Sequence, residues 1–133
     1  MLLTKNRDLI MDHFTREDLE KALPTLDSMI TRSERTQNKF QEGTPQASLA
    51  RNRIRALSIA ASLVTRKLEG DHSALPFTKE DLEKALPPIT STIRKCEKAQ
   101  GKLKEGTPQS ILTRKMLQAL YISLSLITKE LNE

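Results

Sequence analysis

A chain that performs nucleophilic or metal chemistry has to bring thiol, imidazole and carboxylate groups within reach of one another. This one supplies a single cysteine, Cys96, and two histidines, His13 and His72. The chain repeats itself at an offset of 63, and under that offset Cys96 falls on Ser33, His13 on Pro76 and His72 on Leu9. Neither copy pairs a cysteine with a nearby histidine. No expected helix carries a Glu-x-x-His pair of the kind a di-metal carboxylate bundle needs either. The residues therefore lead us to expect no catalytic group, no metal and no cofactor, and a protein that is not an enzyme.

The pentapeptide EGTPQ, at 42–46 and again at 105–109, is the other feature that could hold a ligand, because the free N–H groups at a helix N-terminus can cradle a phosphate. Every residue in it except the glutamine also has a turn role. Gly43 and Gly106 suit the left-handed residue that ends a helix, Thr44 and Thr107 an N-cap, Pro45 and Pro108 the first helical position. Proline removes one of the donors a phosphate would use, and the threonine side chain competes for another. EGTPQ is expected to be a hairpin turn.

Charge is the more informative signal. The net charge is +5, but residues 31–56 and 94–119, which flank the two EGTPQ turns, hold thirteen Lys or Arg against four Glu. Cations at the C-terminus of a helix follow the ordinary dipole preference. Helices that begin at the EGTPQ turns should instead prefer acids in their first turns, and they carry Arg51, Arg53, Arg55, Arg114 and Lys115 with no acid after the cap. With Lys98 and Lys102, these five are the candidate side chains for an anionic partner.

The elements that must position them are helical. Aromatic residues make up only 3% of the chain and Trp is absent, while Ala, Leu, Ile, Lys, Glu and Gln dominate, which favours helix over strand. Phe14 to Gly70 aligns with Phe77 to Glu133 without a gap, and 29 of the 57 pairs are identical. Each copy opens FT(R/K)EDLEKALP, with Thr15 or Thr78 as cap and acids in the first turn. Apolar positions then step by four and three through Leu19, Leu23, Leu26 and Ile30, matched by Leu82, Leu86, Ile89 and Ile93. The seam continues through Ser33 to Gln37 and Phe40, where the glutamine, like its counterpart Gln100, is expected near the wet end or hydrogen-bonded across to fix register. The second helix of each copy repeats the pattern, with Leu49, Ala56 and Leu63, and again Leu112, Ala119 and Leu126, widening its buried face. Phe40 and Tyr121 are expected in or near the core.

The sequence thus predicts an all-α, antiparallel up-down four-helix bundle, with helices over 15–41, 45–69, 78–104 and 108–132. It is formed by two tandem-duplicated helical hairpins, 14–70 and 77–133, joined by a linker at 71–76 into one domain. Residues 1–13 are an N-terminal extension with room for a short helix at 4–12. Pro24 and the pair Pro87-Pro88 fall in mid-helix, where proline removes a hydrogen bond; because the seam keeps its phase across them, a kink is expected rather than a break. Up-down topology puts both EGTPQ turns, and the basic flanks, at one end.

No signal peptide is expected, since Lys5, Arg7 and Asp8 interrupt the first apolar stretch, and the most apolar run, Leu57 to Val64, is far short of the ~20 residues a spanning helix needs. A lone cysteine agrees with a reducing compartment, so a cytoplasmic setting is expected. The functional expectation is a helical interaction or adaptor module whose basic end binds an acidic protein partner. The alternatives are a nucleic-acid-binding regulator using that same end, opposed by the scarcity of aromatic stacking residues and the absence of helix-turn-helix spacing, and a small immunity-type helical protein acting at an anionic membrane surface. No small-molecule substrate is evident. Monomer and homodimer are both open, a dimer being served by an exposed apolar patch expected around Ile59, Ile122 and Tyr121 on the second and fourth helices.

Overall fold

The computed structural model describes residues 14–133; the extension, with the short helix expected at 4–12 and with His13, lies outside the described residues. Four helices follow one another: α1 (Arg16–Lys39), α2 (Pro45–Glu69), α3 (Lys79–Gln100) and α4 (Pro108–Leu131). No strand occurs among the described residues. α1 packs on α2 and α4, α3 packs on α2 and α4, and α2 meets α4 across the diagonal, whereas α1 and α3 do not touch. The all-helical bundle expected from the sequence is what the chain forms, and one hydrophobic cluster draws on all four helices.

The first helix of each hairpin starts where the sequence places it. Thr15 Oγ1 accepts from the Asp18 N–H at 3.0 Å while Asp18 Oδ2 accepts from the Thr15 N–H at 3.0 Å, and Thr78 and Asp81 repeat the exchange at 3.0 and 2.9 Å. These are reciprocal capping boxes that satisfy two otherwise orphaned donors. The Thr78 backbone N–H, then the Thr78 side chain, hold the Asp81 carboxyl below its ordinary range, with Arg55 and Lys84 adding in the same direction. A carboxyl depressed by folding stabilises the fold above its unfolded pKa, near 3.9, and that contribution is lost as pH falls through the folded value. Thr78→Ala is therefore expected to cost about 1 kcal/mol at neutral pH, and Asp81→Asn to narrow the difference in melting temperature between pH 7 and pH 3. Thermal unfolding of both variants at the two pH values checks this.

α1 and α3 end earlier than the seam implies, at Lys39 and Gln100. Gly43 and Gly106, with φ of 90° and 84°, accordingly do not terminate the helices but turn the chain a few residues later, in a conformation that L side chains resist. The rest of EGTPQ behaves as its chemistry predicts. Thr44 Oγ1 accepts from the Ala47 N–H at 3.2 Å and donates to the Gln41 carbonyl at 2.8 Å. Thr107 does the same with Ser110 and Lys104, at 3.2 and 2.8 Å. Pro45 and Pro108 open the helices that follow. Gln100 bonds across its hairpin, Nε2 donating to Ser110 Oγ at 3.2 Å.

Pro24, Pro87 and Pro88 lie inside continuous helices. Each deprives the carbonyl four residues earlier of its donor; those residues, Glu20, Glu83 and Lys84, are exposed, where water can take the bond.

The packing corrects the sequence reading at three places. Leu49 is 62% exposed and Leu112 43% exposed, although both lie on stripes that are buried further along at Ala56 and Ala119, each 1% exposed. The periodicity of those stripes is right, but at the first turns of α2 and α4 the other hairpin does not cover them. Phe40, at 41% exposure, caps α1 outside the core for the same reason. Ile59 and Ile122 are buried, not exposed: α2 and α4 each contact three helices, so their buried arcs are wider than a two-neighbour bundle requires. Tyr121 is half-buried, its hydroxyl 2.5 Å from Glu97 Oε2. The two isoleucines of the apolar patch that would serve a dimer are therefore interior.

A candidate partner-binding groove

The duplication is also visible in how the hairpins meet. Gln118 Nε2 donates to Asp18 Oδ1 at 3.3 Å, and Arg55 Nη2 lies 3.7 Å from Asp81 Oδ1. Adding 63 to Asp18 and subtracting it from Gln118 turns the first contact into the second. The start of α1 thus rests against the middle of α4 as the start of α3 rests against the middle of α2. Arg16 Nη1, which donates to the Leu68 carbonyl at 3.0 Å, fixes the antiparallel course of α1 and α2.

Each of these two junctions leaves a groove. One, of about 600 Å³, runs between α2 and α3. Its apolar part is Ala56, Ile59, Ala85, Pro87 and Pro88, with Leu49 at one lip. The other, of about 410 Å³ between α1 and α4, includes Ala22, Ala119 and Pro24. Alanine facing alanine fills less space than the neighbouring leucines and isoleucines would, and the trough is the consequence.

Charge separates the twins. The α2/α3 groove carries Arg53, Arg55, Lys84 and Lys95 against a single acid, Asp81. The α1/α4 groove carries Lys21 and Lys115 against Asp18. The difference is centred on one short run: Asn52, Arg53 and Arg55 in α2 stand where α4 has Lys115, Met116 and Gln118. Arg53 is half-buried, and among the described residues neither it nor Lys95 forms an ion pair. Lys84 is 2.8 Å from Glu80 on its own helix.

The seven candidates from sequence are not gathered into one constellation. Arg53 and Arg55 line the α2/α3 groove and Lys115 the α1/α4 groove. Arg114 sits 3.9 Å from Glu105, while Arg51, Lys98 and Lys102 are exposed on the surface and line neither groove. Sequence reasoning misses Lys84, Lys95 and Leu49 as groove residues. The usable signal is the contrast between the copies at 53 and 55 against 116 and 118. Cys96 is buried in α3, and burial pushes its thiol up although Arg32 and Arg53 pull the other way; an activated thiolate needs the opposite balance. Among the described residues no group of His, Cys, Asp and Glu could hold a metal ion, and no helix is long and apolar enough to cross a membrane. Comparison with protein-family models, curated proteins and solved structures finds no match.

Proposed function

We propose that this chain is a non-enzymatic, cytoplasmic helical interaction module whose basic surface, flanking the two EGTPQ turns, binds an acidic protein partner. The observation that carries this reading is how few of those cations the fold neutralises. Of the thirteen Lys and Arg that flank the turns, only Arg55 and Arg114 form ion pairs among the described residues. Elsewhere the protein pairs its cations more fully: Arg16 with Glu20, Lys21 with Glu17, Arg66 with Asp71 and Lys84 with Glu80. Unneutralised, partly clustered charge raises association rates with a surface of opposite sign and discriminates against partners of like sign. A rigid bundle holds such charges in a fixed pattern, so binding carries no cost of ordering a loop.

The test is a fourfold substitution, Arg51, Lys98, Lys102 and Arg114 each to Gln. These side chains are exposed, so the helical circular dichroism and melting temperature are expected to stay close to wild type. Partners recovered with wild type by in-cell cross-linking are expected to be acidic and to be lost or strongly reduced with the variant. Recovery of the same partners in the same amounts would contradict the reading. Tight binding to short duplex DNA that falls steeply with salt, or flotation with anionic but not neutral vesicles, would replace an acidic protein with a different class of partner.

A further inference from the structure

We propose that the α2/α3 groove is the docking site for one acidic amphipathic helix of the partner, and that its twin between α1 and α4 is not. This rests on the reading of a basic module and narrows it to one place and one shape of ligand. The groove joins an apolar floor, Ala56, Ile59 and Pro87, to Arg53 and Lys95, unpaired among the described residues, and to Arg55 and Lys84, which are held at the surface by Asp81 and Glu80. This is complementary to a helix with an apolar stripe bordered by Glu or Asp. Lys84 and Lys95 are eleven residues apart on α3, about 16 Å along its axis. A compact anion cannot reach both, whereas a helix of about three turns can. An extended strand has no sheet edge to join, and a trough between two helices accepts the ridge of a third. A second copy of this chain is disfavoured as occupant, because it would bring the same cations against themselves.

The duplicated fold provides its own control. Met116 and Gln118 occupy, in the twin junction, the positions of Arg53 and Arg55, and Gln118 there bonds Asp18 at 3.3 Å. The double substitution Arg53→Met with Arg55→Gln therefore installs side chains that the same local packing already accommodates, and the introduced amide can take up Asp81 as Gln118 takes up Asp18. Lys21→Gln alters the twin groove instead.

A phage-displayed library of peptides about 16 residues long is selected on the full wild-type protein, and the enriched peptides are titrated against each variant. Acidic sequences with apolar residues at i, i+3, i+4 and i+7 are expected to be enriched. Arg53→Met with Arg55→Gln is expected to weaken them by at least about ten-fold, while Lys21→Gln leaves affinity within about two-fold and all variants keep the wild-type melting profile. If the enriched peptides are acidic but are weakened only by the Arg51, Lys98, Lys102 and Arg114 variant, the groove assignment is overturned and the basic-surface reading stands. If no acidic peptide is enriched, both fall.

Discussion

Ile122→Ala is expected to destabilise the protein by about 2–5 kcal/mol, lowering the melting temperature by on the order of 10 °C. Ile122 is 0% exposed and Ile59 4% exposed, and both belong to the cluster that joins the hairpins. Truncating Ile122 removes three methyl or methylene groups from a site bounded by helices on several sides, so collapse around the cavity is restricted and the cavity term adds to the lost transfer energy. Leu112→Ala is the informative companion, expected to stay within about 0.5 kcal/mol because the leucine is 43% exposed and touches no special feature. A heptad pattern alone ranks these two positions the other way round. Urea denaturation of both variants decides between the two rankings: a larger loss for Leu112→Ala than for Ile122→Ala would show that the hairpins pack through different faces.

Pro24→Ala is expected to stabilise the fold. A proline within a helix is worse than alanine by about 3 kcal/mol, partly through the missing bond to the Glu20 carbonyl. Against that, alanine enlarges the conformational freedom of the unfolded chain, which offsets about 0.4–1 kcal/mol. A net gain of about 2 kcal/mol follows if α1 can adjust without moving its buried residues. Pro24 itself is exposed, so no core contact of the ring is lost, but Ala22 and Leu26 on either side of it are buried. A loss of stability on Pro24→Ala would mean that the proline is what seats those two residues, and that the helix gives up local stability for tertiary fit. Denaturant midpoints, read with the m-value to exclude a change in the unfolded state, distinguish the two results.

What could be foreseen in this fold was local. Caps, turn residues and the step of four and three depend on neighbours in sequence, and Thr15, Thr78, Thr44 and Thr107 accept the bonds their positions require. How far a buried stripe runs before its cover ends depends on the docking of one hairpin on the other. No periodicity carries that, which is why a periodic reading puts Leu49 and Leu112 inside and Ile59 and Ile122 outside. The groove is invisible in sequence for a similar reason. Arg53 and Lys95 lie on different helices and only the α2/α3 junction makes them neighbours, while Ala56 and Ala85 become a floor only because they face each other. The duplication holds more information than its identities reveal. Positions where the copies differ in charge set the two junctions apart, and Arg53 and Arg55 against Met116 and Gln118 are such a pair.

The measurement that bears most directly on the account is a map of amide chemical shifts in the isotope-labelled protein during titration with a designed peptide of about 16 residues, leucines on one helical face and glutamates on both flanks. Saturable shifts are expected to concentrate at residues 49–59 of α2 and 81–95 of α3 and to fade as salt screens the charges, with residues 18–25 and 115–119 of the twin junction little changed. Shifts of equal size at both junctions, or spread over every basic residue without saturation, would contradict it.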